Sequence, residues 1–335
     1  MKLLKTVALL VFFFEACCEA QEQKSSSPEL SRIAFGSCNH QDRPQPLWEV
    51  IVKNNPQLWI WTGDSIYADT EDMSLMKKMY AKQKQNSEYQ KLLKTCPVIG
   101  CWDDHDYGKN NAGKEYPKKA ESQALMLEFL DEPKESPRYQ QEGAYASYSY
   151  GPEGKQIKVI LLDVRYHRDP PGLEADTLGD AQWEWLEEEL QNSKAQIHLI
   201  ISGVEVIVEE HPYEKWANFP KARQRLFDLI GKTKTKGVIF ISGDRHIAEI
   251  SKIEGTSAGY PLYDITASGM THSWSDFKEE KNRYRVGEVY PDLHFGWIEI
   301  QWTSTPPVIE LQIRNRGNKV PLSTTLKLSD LAPAE

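Results

Sequence analysis

Five short stretches of this chain carry the residue types that bind metal ions or phosphate. The densest is Cys101-Trp102-Asp103-Asp104-His105-Asp106-Tyr107-Gly108, which sets three carboxylates around one histidine. Like charges crowded into a partly buried place repel one another, so either basic side chains or a bound metal must offset them. Taken alone, such a run reads as a solvated acidic loop. The other four are Gly36-Ser37-Cys38-Asn39-His40, Thr62-Gly63-Asp64-Ser65-Ile66-Tyr67-Ala68-Asp69, Asp163-Val164-Arg165-Tyr166-His167-Arg168-Asp169 and Ser242-Gly243-Asp244-Arg245-His246. Asp64 and Tyr67 stand one tight turn apart, and a carboxylate can bridge two metals. Deprotonated Cys38 and Tyr67 would be strong anionic ligands for trivalent iron, whereas Asp104, Asn111 and other oxygen groups suit a harder divalent ion such as calcium. Asp244 and His246 could add an oxygen and a nitrogen.

Each stretch directly follows an apolar run. Arg32–Phe35, Leu58–Trp61, Cys96–Ile99, Ile157–Leu162, Ile197–Ile201 and Gly237–Ile241 read as buried strands. Helical patterns lie between them, around Pro46–Lys53, Asp72–Thr95, Pro117–Leu130, Asp180–Ser193 and Phe219–Ile230, with Asp180 as an N-cap. Leu262–Thr266, Phe295–Trp302 and Val308–Ile313 alternate with period two and read as further strands. The fold class is therefore α/β with mixed α+β character, two sheets packed together with helices outside. In open α/β sheets ligand sites gather beyond the carboxyl ends of strands. Five polar clusters that all respect strand polarity outweigh the reading of any one of them as a solvated loop.

The bulk composition bounds the rest. A chain of 335 residues with ten Trp, fifteen Tyr and ten Phe can bury a sizeable core. Residues 1–20 show a signal-peptide pattern, with Lys2 and Lys5 before an apolar run from Val7 to Phe14 and small residues at Ala16 and Ala20. Cleavage after Ala20 or Ala16 would leave a secreted protein, extracellular or periplasmic, with no transmembrane segment. Residues 21–31 read as a flexible linker and 32–330 as one catalytic domain. The net charge of −9 argues against a general nucleic-acid or anionic-membrane binder. Cleavage after Ala20 would leave Cys38, Cys96 and Cys101; on an extended strand Cys96 and Cys101 would lie about 16 Å apart, too far to bridge. Glu205, Glu209, Glu210 and His211 read as a solvated acidic loop.

Gly36-Ser37-Cys38, Gly63-Asp64-Ser65-Ile66-Tyr67, Trp102-Asp103-Asp104-His105-Asp106 and Gly243-Asp244-Arg245-His246, in that order, resemble the motifs of the alkaline phosphatase D family. Further similarity runs from Arg165 through Trp216–Pro220 to Ser268–Trp274, so the resemblance spans residues 32 to about 300. It implies a branch of the calcineurin-like metallophosphatases: a four-layer αββα sandwich with metals at strand ends, hydrolysing phosphate mono- or diesters, small or polymeric. It also implies Cys38, Asp64, Tyr67 and Asp244 as ligands around iron, with Asp64 bridging to calcium near Asp104 and His246. Two such cations would lower the pKa of a bound water and neutralise the phosphoryl oxygens. His105 would then stabilise the transition state or protonate the leaving group, and Arg165 would clamp phosphate. Asp103, Asp106, Asn111 and His272 would orient ligands or touch substrate. A glycosidase using two of the carboxylates leaves Cys38, Tyr67 and His246 without a purpose, and a calcium-binding module fits scattered ligands poorly.

Overall fold

The computed structural model describes residues 28–333. The expected leader lies outside them. The expected linker does not run to residue 31: Leu30 is buried, its carbonyl accepts from Trp302 Nε1 at 2.9 Å, and the Ser31 amide donates to Gln57 Oε1.

Two six-stranded sheets form the centre. The first contains β1 (Arg32–Gly36), β2 (Leu58–Thr62), β3 (Val98–Cys101), β10 (His294–Gln301), β11 (Val308–Asn315) and β12 (Leu322–Lys327), in the order β12-β11-β10-β1-β2-β3. The second contains β4 (Ala146–Tyr150), β5 (Ile157–Leu161), β6 (Ile197–Ser202), β7 (Val238–Ser242), β8 (Ala248–Ile253) and β9 (Leu262–Ala267), in the order β4-β5-β6-β7-β9-β8. Strands β1, β2 and β3 pair in parallel, as do β5, β6, β7 and β9. The polar stretches that follow β1, β2 and β3, and those that follow β5 and β7, therefore emerge at the same ends of their sheets.

Successive side chains of a strand point to opposite faces, and the packing follows that period. Ile33, Phe35, Leu58 and Ile60 join the second sheet in one core, whereas Ala34, Trp59 and Trp61 join another with the helices. Those helices are α1 (Trp48–Lys53), α2 (Met73–Lys84), α3 (Ser87–Leu93) and α5 (Lys119–Phe129); the single-turn α4 (Asp104–Tyr107) follows β3. On the far side, α6 (Asp180–Gln191) and α7 (Pro220–Lys232) pack Trp183, Leu186, Leu226 and Ile230 against the second sheet. The order is helices, sheet, sheet, helices. Residues of β6 and β7 are buried throughout, which explains their apolar runs, interrupted in β6 only by the buried His198 and ended in both by serine.

The differences from the sequence reading have local causes. The run Asp72–Thr95 is two helices, because Asn86 accepts from the Glu88 and Tyr89 amides and caps a new start. Asp180 is the first helical residue behind the cap residue Gly179, a place where its charge still suits the helix dipole. Strand β3 starts at Val98, after the proline that has no amide proton to donate. The three strands not anticipated, β4, β8 and β12, all stand at sheet edges, where one ladder suffices and the apolar pattern is diluted. No helix among the described residues is long and apolar enough to cross a membrane.

Candidate functional site

The turns that leave the strands hold their polar side chains in a sparsely populated backbone conformation. Cys38, Asp64, Asp69, Asn111, Asp244 and His246 all have φ between 43° and 68°, the left-handed region that residues with a Cβ seldom occupy. Such strain clusters where surrounding structure dictates a side-chain direction for function. Gly63 precedes Asp64 at φ 99°, and a Cβ there would meet Asp103 Cβ at 2.4 Å, so the turns after β2 and β3 can touch only because residue 63 is glycine.

The first group of donors surrounds Asp64. Cys38 Sγ lies 3.6 Å from Asp64 Oδ2 and 3.7 Å from the Asp244 carbonyl oxygen. The Tyr67 hydroxyl stands 3.3 Å from Asp64 Oδ2 and 3.0 Å from His246 Nε2. A sulfur, a phenol oxygen, a carboxylate and an imidazole from the ends of β1, β2 and β7 thus meet. Carboxylate and imidazole atoms of Asp64, Asp104 and His105 lie within 4.8 Å of one another, and so do those of Asp103, Asp104 and Asp244. Asp104 belongs to both groups.

The acidic motif after β3 is fixed from several sides. Asp106 accepts from the Asp103 amide at 2.7 Å and from the amide and hydroxyl of Ser65 at 2.9 and 3.0 Å, binding the turn after β3 to the turn after β2. Asp104 accepts from the amides of His105 (3.0 Å) and Asn111 (2.7 Å). Asn111, expected to orient ligands or touch substrate, acts on Asp104 through its backbone. The His105 ring stacks on Tyr67 at 4.1 Å, and its Nδ1 lies 2.7 Å from Asp69 Oδ2. Burial pulls the His105 pKa down, but the Asp69 hydrogen bond and the Asp104 charge overcome it and carry the value up to about 9. Asp69 closes the GDSIYAD stretch, and no local signal ties it to a histidine 36 positions away.

The electrostatics match a site built for cations. Asp64 is pushed well above the carboxylate range by burial and by Asp104, Asp106 and Asp244, and Asp244 is raised to about 7 by burial, Asp104 and Glu214. Cys38 and Tyr67 are pushed up by burial and by their anionic neighbours, so without a cation they keep their protons. Burial and the His105 charge lower His246 to about 4, leaving a neutral imidazole, which is the ligating form. Asp103 Oδ2 is buried with no hydrogen-bond partner. A sulfur, nitrogen and oxygen donor set with an excess of buried carboxylates fits bound metal ions.

Arg165 occupies a different place from the phosphate clamp expected of it. It is fully buried and absent from the cavity wall, and its guanidinium contacts Asp103 at 2.7 Å and Glu214 at 2.7 Å, with Asp104 at 4.0 Å. With three carboxylates around it, the guanidinium is committed to protein and cannot turn outward without stranding Asp103. Glu214, which the sequence reading passed over, also pairs with Arg168, and Arg168 is the arginine that lines the cavity together with Arg245. The cavity has a volume of about 890 Å³ and is reached by His105, Asn111, Asp244 and His246 among the expected residues. His272 packs its ring 4.4 Å from His246 and 4.9 Å from Tyr67. Trp274 lines the cavity, whereas Trp216, Phe219 and Tyr107 are core residues.

Residues 33–271 match the family described as PhoD-like phosphatase. The chain belongs to that family. The matched residues include every candidate ligand and stop short of His272 and of β10–β12. No curated protein matches this PhoD-like chain in sequence. Among solved structures it is similar to one titled as PhoD, with a TM-score of 0.72 at 15% identity over 90% of this chain and 69% of that one. It is also similar to GAP50, described as the anchor in the inner membrane complex of Plasmodium (TM-score 0.59, 13% identity, 92% and 90% covered). A third is a dimetal phosphatase from Danio rerio (TM-score 0.57, 12% identity, 90% and 99% covered). At these identities the likeness concerns the fold, and it agrees with the two-sheet metallophosphatase sandwich.

Proposed function

We propose that this PhoD-like chain is an exported, metal-dependent phosphoester hydrolase whose catalytic domain spans residues 32–330. The observation that carries the reading is the convergence of Cys38 Sγ, the Tyr67 hydroxyl, His246 Nε2 and the Asp64 and Asp104 carboxylates from separate strand ends, beside a cavity lined by His105, Asp244 and His246. Cys38, Asp64, Tyr67 and Asp244 would hold iron, and Asp64, Asp104 and His246 would complete a neighbouring site for calcium. The chemistry such ions supply is acidification of water and neutralisation of charge on phosphoryl oxygens.

The protein's own residues do the remaining work. His105 is held by Asp69 at Nδ1, which leaves Nε2 to deliver a proton to the departing oxygen. Asp106 and the Asn111 amide keep Asp103 and Asp104 in place, and Arg165 holds Asp103 from behind. Both arginines of the cavity wall are already paired, Arg168 with Glu214 and Arg245 with Glu280. That balance supports a singly charged phosphodiester over a doubly charged monoester. Export rests on the leader pattern of residues 1–20.

The test is turnover of matched mono- and diesters by protein stripped with chelator and then supplied with iron, calcium or both. Diester hydrolysis restored only by metal, and reduced at least about a thousandfold in Asp104→Asn, is the expected result. Full turnover by the stripped protein would refute the reading.

A further inference from the structure

Beyond its metal-facing wall, the cavity has a rim that the chemistry proposed for the site does not use. The turn Gly243-Asp244-Arg245-His246 sends Asp244 toward Asp103 and Asp104 and His246 toward Tyr67, while Arg245 goes elsewhere. Its guanidinium lies 4.3 Å from the centroid of the Tyr213 ring and is tethered by Glu280 at 2.6 Å, with Glu205 at 3.7 Å. Arg245 therefore covers one face of Tyr213 and holds the ring in place. Trp274 meets the edge of Tyr213 at 5.8 Å with the planes 84° apart, and Phe277 braces Trp274 at 5.3 Å. The Trp274 amide donates to the His246 carbonyl oxygen at 2.7 Å, so this side chain is registered against a candidate ligand.

Tyr213 nevertheless stays 44% exposed and, with Trp274, lines the same cavity as His105 and His246. An aromatic ring fixed by a stacked guanidinium yet left open to a cavity gains nothing in packing from its open part. The cavity, at about 890 Å³, is far larger than a phosphate group and has room for a substituent. Pro170, Pro171 and Pro212 add rigid apolar wall. Flat, rigid and preorganised surfaces of this kind suit a planar ring, which stacks on one aromatic and meets the edge of the other.

We propose that Tyr213 and Trp274 form a specificity platform for a planar aromatic substituent of the phosphoester, such as an aryl group or a nucleobase. The proposal rests on the hydrolase reading above, since it places the phosphoryl end of the same ligand at the metal-facing wall. Arg245 is a positioning residue that acts through Tyr213.

The probes are two non-hydrolysable, singly charged analogues of equal charge and similar size, methyl(phenyl)phosphinic acid and cyclohexyl(methyl)phosphinic acid, in which both substituents are joined to phosphorus through carbon. Calorimetric titration of the metal-loaded protein is expected to show the phenyl compound binding about tenfold tighter. Tyr213→Ala and Trp274→Ala are each expected to bring that ratio close to one, while Tyr213→Phe keeps it. Equal affinities in the unmodified protein, a preference that survives both alanine substitutions, or failure of both compounds to bind would overturn the platform. A retained phenyl preference in a protein that turns over no ester would overturn hydrolysis and leave the platform standing.

Discussion

Two clusters of buried acids among the described residues are built on opposite plans. The first, Asp64, Asp103, Asp104 and Asp244, stands at the strand ends and is short of positive charge: Asp103 Oδ2 is buried without a partner, and one fully buried arginine serves the group. The second, Glu205, Glu249 and Asp264, lies around β8 and β9 and is supplied from within. Asp264 accepts from Ser242 Oγ at 2.7 Å and from the amides of Val206 and Ile207. Glu205 accepts from Thr266 at 2.9 Å and pairs with His211, and Glu249 is held by Arg285 at 2.7 Å. Burial alone does not mark a metal site. What separates the two is whether the protein itself satisfies the charge.

That contrast can be broken first at Arg165. Removing it strands Asp103 in a buried place and leaves Glu214 to Arg168 alone, so Arg165→Ala should lose about 3–5 kcal/mol of stability by chemical denaturation. Arg165→Lys should recover only part of it, because an ammonium cannot bond Asp103 and Glu214 through a planar fork. A loss below about 1 kcal/mol would mean that the acidic cluster balances itself without Arg165.

A smaller effect is expected at Asp69. Asp69→Asn removes the anion that supports the His105 charge, and kcat should fall about tenfold with KM little changed. The fall should vanish for esters of strongly acidic phenols, whose leaving oxygen needs no proton. An equal fall for acidic and basic leaving groups would remove His105 from the role of acid.

The smallest effect concerns the self-sufficient cluster. Burial and the Glu205 charge raise Glu249 from its ordinary 4.5 to about 7 despite Arg285. The folded state thus holds this proton more tightly than the unfolded one, and stability present below pH 4.5 is lost as pH rises through 7. Glu249→Gln should flatten that loss, so the stability difference between variant and wild type should move in the variant's favour from pH 5 to pH 8. A difference that stays constant with pH would show that Glu249 titrates normally.

The candidate ligands were legible in the sequence because each stands within a few residues of an apolar strand, where local pattern and strand polarity coincide. Cys38, Asp64, Asp104 and Asp244 needed no tertiary information. The partners did. Asp69 reaches His105 across 36 positions, and Glu214 joins Arg168 across 46, through turns whose packing has no local signature. For the same reason Glu205 and His211, in a stretch that reads as a solvated loop, are buried: Thr266 of β9 donates to Glu205 and Arg245 stands 3.7 Å from it. The edge strands β4, β8 and β12 have weak sequence signals because an edge tolerates polar residues, whereas the central strands carry mostly apolar runs.

Elemental analysis of the purified protein beside its Asp104→Asn and Asp264→Asn variants tests the central distinction most directly. Two bound ions per chain are expected in the unmodified protein, with loss of metal in Asp104→Asn and full metal content in Asp264→Asn, where an acid hydrogen-bonded within the protein has been changed. Metal retained in Asp104→Asn, or a metal-free protein that still hydrolyses phosphoesters, would contradict that expectation.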